Sequence, residues 1–464
     1  MGDLDGLTSR LDYIQGLGAD TLWLMPIHPS PSAHGYDVTD YYAVNPDYGT
    51  LQDLQELVHA AHARGMRVLL DFVPSHLSRE HPFFQDAFAR PESIHSDWFL
   101  WTDNDHTRYA SFDGQGAMPR LNHHNPEVVE YLTRAILFWL DLDSDGDYRD
   151  GVDGFRMDNA VFPPADFFRS LRQSVKEANP EAVLLGEAWL TNTSDLSSYF
   201  EDEFDALFDF PLYSVLEGNQ DFNQDGLLAG AGHPALLSMV LQEQSSLFPP
   251  QGLSLRFLSN HDTNRLASEV ASDPARLRLA AALLASLPGP MMIYYGEEIG
   301  MRGEKGGMPD WDNYRREPMD WYASQLGEGQ TTWFRPTDRW NQPFDGVSVE
   351  EQETDPESLL HFLRHTLQIR QAHRALREGT LAILPLQSSA RGAWAFTRIY
   401  EEETIVAVFN FSAEPVEVTI ESFPLAVPEL TDLISGQRLP GPQGLGAFLL
   451  SLPAASALLL TEAP

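Results

Sequence analysis

Apolar runs of strand length alternate with amphipathic helical segments through most of the chain, which predicts an α/β fold built on a parallel sheet. Residues 21–27 and 67–73 are two such runs, and the segment between them, 51–64, has helical spacing that ends before Gly65. Seven strands can be counted in the repeating series. A TIM, or (β/α)8, barrel needs eight, so the sequence predicts this barrel with its first strand missing from the chain as written.

The later part of the series follows the same rhythm after one long interruption. The predicted helices cover residues 126–140, 165–178, 234–244 and 274–286, and the predicted strands cover 154–158, 182–188, 206–212, 254–260 and 291–298. The interruption is polar and rich in aromatic residues, as functional insertions often are. Beyond residue 378, short alternating strands with turn signals predict a separate β-sandwich. The expected domains are barrel residues 1–76 and 126–377, an inserted domain B at 77–125, and the sandwich at 378–464.

The composition restricts the classes of partner. The net charge of −38 results from 68 acidic against 30 basic residues. A surface of this kind repels nucleic acid and anionic lipid, so a neutral substrate is expected, with no nucleic-acid or membrane partner. The chain has no cysteine, no signal-peptide pattern at its start and no apolar run of the ~20 residues that a membrane span needs. As written, it is expected to be cytoplasmic; its oligomeric state stays open.

Charged side chains follow several of the predicted barrel strands. In such barrels the working residues lie at the C-terminal ends of the strands. Reading only those positions gives a set of seven residues: Asp71, His76, Arg156, Asp158, Glu187, His261 and Asp262. Arg156 and Asp158 are two residues apart on one strand, so their side chains leave the same face. Alone, that pair is typical of a structural ion pair, but the three carboxylates Asp158, Glu187 and Asp262 at the ends of three strands favour a catalytic site.

Two of these carboxylates suit glycoside hydrolysis, which needs one ionised and one protonated carboxyl group on either side of the scissile bond. Asp158 beside Arg156 suits the ionised partner. Glu187 lies between apolar Leu185 and Trp189 in the sequence, which favours a raised pKa and the role of acid/base.

These blocks give the chain a resemblance to a known family. The sequence resembles the α-amylase family, glycoside hydrolase family 13, and within it the group intermediate between oligo-1,6-glucosidases and neopullulanases. The matching blocks are Asp71-Phe72-Val73-Pro74-Ser75-His76, Met118-Pro119-Arg120-Leu121-Asn122, Gly154-Phe155-Arg156-Met157-Asp158, Gly186-Glu187-Ala188-Trp189 and Phe257-Leu258-Ser259-Asn260-His261-Asp262.

The resemblance implies a role for each matching residue. Asp158 would be the nucleophile of a retaining mechanism, Glu187 the general acid/base and Asp262 the stabiliser of the transition state. The implied substrate-binding residues are Tyr36, Asp71, His76, Arg156, Phe162, Trp189 and His261, with Tyr36 stacking on the sugar ring. No cofactor is required for this chemistry.

Departures from the family pattern concern the start of the chain and a metal. The chain begins at Gly2-Asp3-Leu4, a stretch that in the family follows the first strand, which favours a mis-assigned start codon. Ser75 stands where the family commonly has a calcium-binding asparagine. A different calcium site is suggested by Asp141, Asp143 and Asp145, whose spacing is similar to an EF-hand loop, although Val152 stands at the twelfth position. The alternative is a solvated acidic loop.

Other departures bear on the substrate. Ala33 occupies the place of an aspartate that closes the pocket in exo-acting α-glucosidases, which favours internal cleavage of α-1,4-glucans such as maltodextrins. Val161 and Phe162 replace the lysine and histidine of plain α-amylases, which favours short oligosaccharides or transfer to sugar acceptors. One of Arg315 and Arg316 is expected to reach the sugar site. The alternatives that stay open are an exo-α-glucosidase, a glucan transferase or trehalose synthase, and, remotely, a non-catalytic interaction module.

Overall fold

The structure is a computed structural model that describes residues 2–219, 224–307, 311–335, 339–389, 391–442 and 446–463. The chain divides into two compact units. The first contains residues 1–208 and 248–253, and the second contains residues 209–247 and 254–464.

The first unit is built on a parallel sheet whose strands pair in chain order. The five strands are β1 (Thr21–Leu24), β2 (Arg67–Phe72), β3 (Gly154–Met157), β4 (Val183–Gly186) and β5 (Ala206–Phe208). Every residue of β3 is buried, as expected for a parallel strand covered on both faces. Glycine is required at the start of β3, because a Cβ atom on Gly154 would lie 2.1 Å from the carbonyl oxygen of Val183.

Helices cover the connections between these strands. They are α1 (Leu4–Ser9), α2 (Leu11–Leu17), α3 (Leu51–His62), α4 (Pro82–Ala87), α5 (Pro126–Leu140), α6 (Ala165–Ala178) and α7 (Thr193–Ser197). Helix α3 begins with a capping box between Thr50 and Asp53, and α5 begins with the Asn125 cap followed by Pro126, both strong start signals. The predicted bounds of α5 and α6 agree with the structure residue for residue.

The predicted insertion at 77–125 has its own local structure. It contains α4 and short 3-10 turns, and isolated antiparallel bridges connect parts of the segment. One of those bridges pairs His76, just after β2, with Arg120, so the end of the insertion returns to the end of the barrel strand.

The second unit contains helices and most of the remaining strands. The helices are α8 (Phe210–Leu216), α9 (Ala235–Leu247), α10 (Leu266–Glu269), α11 (Pro274–Ser286), α12 (Val349–Glu353), α13 (Leu359–Ala372) and α14 (Arg374–Glu378). Strands β6 (Gly218–Asn219) and β7 (Gln224–Asp225) form a short hairpin, and β8 (Leu253–Leu255) begins at the last residue of the first unit.

Three predicted strands differ markedly from the structure. The strand predicted over 254–260 is present only as β8 (Leu253–Leu255) and a single bridge at Arg256. The strand predicted over 206–212 ends at Phe208, because Asp209 caps a new helix by accepting a hydrogen bond from the Leu212 amide at 3.1 Å, and Pro211 lies in the first turn. The segment 291–298 contributes a single bridge at Met291, and then Gly296, with φ of 82°, turns the chain into a 3-10 helix.

The predicted β-sandwich is confirmed. Its strands are β9 (Thr380–Ile383), β10 (Leu386–Ser388), β11 (Ala393–Tyr400), β12 (Glu403–Asn410), β13 (Val416–Ile420), β14 (Glu429–Asp432), β15 (Arg438–Pro440), β16 (Phe448–Leu452) and β17 (Ser456–Glu462). They form a six-stranded sheet in the order β15-β14-β17-β12-β11-β9 and a three-stranded sheet in the order β10-β13-β16. Apolar residues from both sheets, such as Val408 and Val418, share one buried core, as sandwich packing requires.

Among the described residues, no helix combines the length and the apolar character needed to cross a membrane.

Candidate active site

The centre of the site in the first unit is the guanidinium of Arg156, which is completely buried at the end of β3. Its Nη1 donates to Asp158 Oδ1 at 2.9 Å and to the two carboxylate oxygens of Asp71 at 2.9 and 3.0 Å. Its Nη2 lies 2.5 Å from Oε1 of Glu187. One guanidinium therefore contacts three carboxyl groups from three consecutive strands.

The sheet register explains why these side chains meet. Asp71 on β2 lies directly beside Arg156 on β3, and Met157 on β3 lies beside Gly186 on β4. The next residues along those two strands are Asp158 and Glu187, so both follow the same edge of the sheet. This is the expected consequence of parallel strands that end in register.

Burial and charge act in opposite directions on these groups. Burial alone would lower the pKa of Arg156, but the carboxylates of Asp71 and Glu187 raise it well above its usual value. Burial raises the pKa of Asp71 to about 7, although Arg156 and the Tyr36 hydroxyl stabilise its ionised form. With a single cation facing three acids, protonation of one carboxyl group relieves the excess of negative charge.

Tyr36 is held against this cluster by its hydroxyl group. The hydroxyl donates to Asp71 Oδ2 at 3.0 Å and accepts from Arg156 Nη1 at 3.3 Å. The turn that brings Tyr36 here needs glycine at position 35, where φ is 83° and a Cβ atom would lie 3.0 Å from the carbonyl oxygen of Pro26.

His76, in the same unit, has one ring nitrogen without a hydrogen-bond partner. Its Nδ1 lies 2.7 Å from the Ser75 hydroxyl oxygen, whereas its Nε2 is buried without a hydrogen-bond partner. Burial lowers the pKa of His76 to about 3, so the ring is neutral at neutral pH. A buried polar atom without a partner is costly, and a ligand that fills the site would remove that cost.

Phe162 and Trp189 follow the two central carboxylates along the chain. Trp189 is 47% exposed, which leaves its ring accessible to a ligand. The Phe162 ring lies 5.9 Å from the Phe112 ring and 4.2 Å from Cζ of Arg120. Neither Phe112 nor Arg120 is among the predicted site residues; Arg120 lies within a recognised motif, but its packing partner is 42 positions away.

His261 and Asp262 lie in the second unit, where they form a charged group of their own. His261 Nε2 lies 2.9 Å from Asp262 Oδ2, and Arg316 Nη2 donates to Asp262 Oδ1 at 2.9 Å. Arg315 donates instead to the backbone carbonyl of Asp262. Of the two arginines, Arg316 is therefore the one that contacts the carboxylate.

The acidic loop after α5 gathers four carboxylates. Asp141, Asp143 and Asp145 are joined by Asp150, which sequence reasoning left out, and one oxygen from each lies within 4.8 Å of the others. The Asp145 amide donates to Asp141 Oδ1 at 3.0 Å. The donor set suits a hard cation such as calcium, so this loop could hold a metal ion.

The first unit has the parallel sheet of an α/β enzyme, with charged residues at the ends of its strands. Residues 1–379 match the α-amylase catalytic domain family, and residues 385–458 match the maltogenic amylase C-terminal domain family. The chain belongs to the α-amylase family and is a glycoside hydrolase of that family.

Individual proteins are similar over most of the chain. Alpha-amylase 3 of Dictyoglomus thermophilum is 32% identical, over 89% of this chain and 81% of the relative. A cyclomaltodextrinase of Bacillus sp. is 30% identical, over 88% of this chain and 64% of the relative. A trehalose synthase/amylase of Mycobacterium tuberculosis is 31% identical, over 97% and 85%. The crystal structure of an α-amylase from H. orenii superposes with a TM-score of 0.83 at 31% identity, covering 100% of this chain and 96% of that one. These similarities confirm the predicted fold class and family group.

Proposed function

We propose that the protein is a retaining α-glucan hydrolase that cleaves α-1,4-glucosidic bonds of maltodextrins or starch-like oligosaccharides. The observation that carries the proposal is the shared contact of Asp158 and Glu187 with one guanidinium. That contact keeps the two carboxyl groups close together, as retaining enzymes require, with a separation of ~5 Å. Inverting enzymes need a wider gap to admit water between the groups.

In the proposed reaction, Glu187 gives its proton to the leaving-group oxygen while Asp158 attacks the anomeric carbon. The product of this step is a covalent glycosyl-enzyme. Glu187, now ionised, then removes a proton from water, which attacks the same carbon and releases Asp158. The net result is hydrolysis with retention at the anomeric carbon.

The surrounding residues support these two roles. Arg156 holds the Asp158 carboxylate in one orientation and favours its ionised form. Arg156 also contacts Glu187, so the three carboxyl groups share one cation, and we assign to Glu187 the proton that a general acid must carry. We assign Asp262 the role of stabilising the transition state, while His76 and Tyr36 contact the sugar.

We further propose internal cleavage rather than release of single glucose units. Ala33 leaves no acidic side chain at the position that closes the pocket in exo-acting relatives. Trp189 and Val161 are both exposed beside the proposed catalytic residues, at 47% and 38%, which suits a chain that continues past the cleaved bond. A transferase or trehalose synthase is the second candidate, favoured by similarity to a trehalose synthase/amylase.

The experiment is a product time course with maltose, maltopentaose, pullulan and sucrose. Early maltose and maltotriose from maltopentaose are expected for internal cleavage. Glucose as the only early product would contradict it, products longer than the substrate would favour transfer, and trehalose from maltose would favour the synthase. No turnover of any α-glucan by the folded protein would favour a non-catalytic module.

We propose that the acidic loop of Asp141, Asp143, Asp145 and Asp150 binds calcium and stabilises the fold without taking part in the chemistry. Millimolar calcium is expected to raise the unfolding free energy by about 1.4–2.7 kcal/mol if it exceeds Kd by about 10- to 100-fold. Thermal unfolding in calcium and in EGTA measures this. The Asp143→Asn/Asp145→Asn double variant is expected to lose the response, and an unchanged response in that variant would assign the effect to another site.

A further inference from the structure

Arg120 faces the site from the inserted segment. It is the antiparallel bridge partner of His76, and side chains directly opposite each other in such a pair lie on the same face. Each has a buried nitrogen without a hydrogen-bond partner, Nε in Arg120 and Nε2 in His76. Two unsatisfied polar groups on one face indicate a place built to receive a polar ligand.

The charge of Arg120 is also uncompensated. Among the residues that the structure describes, no carboxylate forms a salt bridge with it, although the chain carries 68 acidic residues. Burial lowers the pKa of Arg120. Its recorded side-chain partner is the Phe162 ring, 4.2 Å from Cζ. A guanidinium that forms no salt bridge keeps its N–H donors available to another molecule.

Aromatic rings extend this surface towards His76. Phe112 lies 5.9 Å from Phe162 and 4.9 Å from the His76 ring. Rings beside a planar set of donors suit a sugar, which offers an apolar ring face and hydroxyl oxygens at its edge.

Backbone contacts indicate which side of the scissile bond this surface serves. The Asn159 amide donates to Glu187 Oε2 at 3.0 Å, and the Ala160 amide donates to the Glu187 carbonyl at 2.8 Å. The loop that carries Phe162 therefore adjoins the proposed general acid. Since that acid protonates the leaving-group oxygen, the leaving sugar must lie next to this loop.

We infer that Arg120, stacked on Phe162, binds hydroxyl groups of the leaving-group sugar and, in the reverse sense, of a sugar acceptor. Arg120 is then a specificity-determining residue of the enzyme. The inference rests on the proposed function, and it extends that function by placing the recognition of the departing glucan on the inserted segment.

The test compares two substrates that give the same glycosyl-enzyme. With maltotriose the leaving group is a glucose unit that lies beside Phe162. With α-maltosyl fluoride the leaving group is fluoride alone. Arg120→Gln is expected to lower kcat/KM for maltotriose about 10- to 100-fold, the effect of losing a hydrogen bond from a charged group. The loss for maltosyl fluoride is expected to be at least about tenfold smaller. Arg120→Lys, which keeps a charged donor, should recover part of the loss for maltotriose.

Arg79→Gln is the matched control, because Arg79 is an exposed arginine of the same segment that lies over the Phe88 ring. It is expected to behave as the wild type with both substrates. Equal losses of Arg120→Gln on both substrates would show a structural role, and no loss on either would show no role; both results overturn the inference. If the wild type turned over neither substrate, the proposed function would fail first and this inference with it.

Discussion

Replacing Glu187 by alanine is expected to lower kcat/KM for maltopentaose by about 10²–10⁴-fold, the usual contribution of a general acid. The same variant should still form the glycosyl-enzyme from α-maltosyl fluoride, because fluoride departs without protonation. Its breakdown then lacks a general base and becomes slow. Added azide, which needs no base, should restore turnover and give α-maltosyl azide, the product of retention.

Asp158→Ala is the companion variant with the opposite stereochemical outcome. Loss of a covalent nucleophile can cost on the order of 10⁶-fold in turnover. Azide can occupy the space left by the carboxylate and attack α-maltosyl fluoride directly, which gives β-maltosyl azide. The anomer of the azide product, read by nuclear magnetic resonance, therefore assigns the two roles independently of rate.

Glu181→Gln is the control for these variants, because it removes an exposed carboxylate from the segment before β4. It is expected to keep wild-type kinetics. If the Asp158 variant gave the α-azide and the Glu187 variant the β-azide, the two roles would have to be exchanged. Full activity of either alanine variant would remove that residue from the reaction.

Arg156→Met is expected to destabilise the first unit as well as abolish activity. The substitution leaves Asp71, Asp158 and Glu187 without the cation that they share. Removing one partner of a buried charge pair costs about 3–5 kcal/mol. We expect the free energy of unfolding to fall by about that amount. Urea unfolding followed by circular dichroism measures the loss.

The loss of folding stability in Arg156→Met should depend on pH in a defined direction. Without the guanidinium, the buried carboxylates have pKa values above those of the unfolded chain, so the folded variant binds more protons. Its stability relative to the wild type is therefore greatest at low pH and falls as pH rises through those pKa values. The gap between the two proteins should be smaller at pH 5 than at pH 8.

Arg134→Met is the matched control on α5, where the exposed Arg134 pairs with Glu130 one turn away. Such surface pairs contribute about 0.3–0.5 kcal/mol, so a small loss is expected. A similarly small loss for Arg156→Met, constant with pH, would contradict the view that one buried cation holds the three carboxylates.

Much of the site could be predicted because it lies at strand ends. Apolar runs identify β2, β3 and β4, and the sequence shows directly which residue follows each of these strands. Parallel strands in register then bring Asp158 and Glu187 together without further information. The sequence could not reveal that Arg156 contacts Asp71 through both carboxylate oxygens, since that depends on how the buried side chains pack.

The sequence was less informative where local signals compete or where partners are distant. Residues 206–212 form an apolar run, but the Asp209 cap and Pro211 divide it into a strand and a helix. The stacking of Arg120 on Phe162 joins an insertion to a loop beyond β3, and no local pattern specifies such a pairing. That contact is also the basis for the proposed recognition of the leaving sugar.

The most direct test of the central claim is to trap the covalent intermediate. Incubation with 5-fluoro-α-maltosyl fluoride should slow the second step and allow the labelled peptide to be mapped by mass spectrometry. The account predicts a single maltosyl-type adduct on Asp158, absent from Asp158→Ala. An adduct on Glu187, or turnover of maltopentaose with inversion and no adduct, would contradict it.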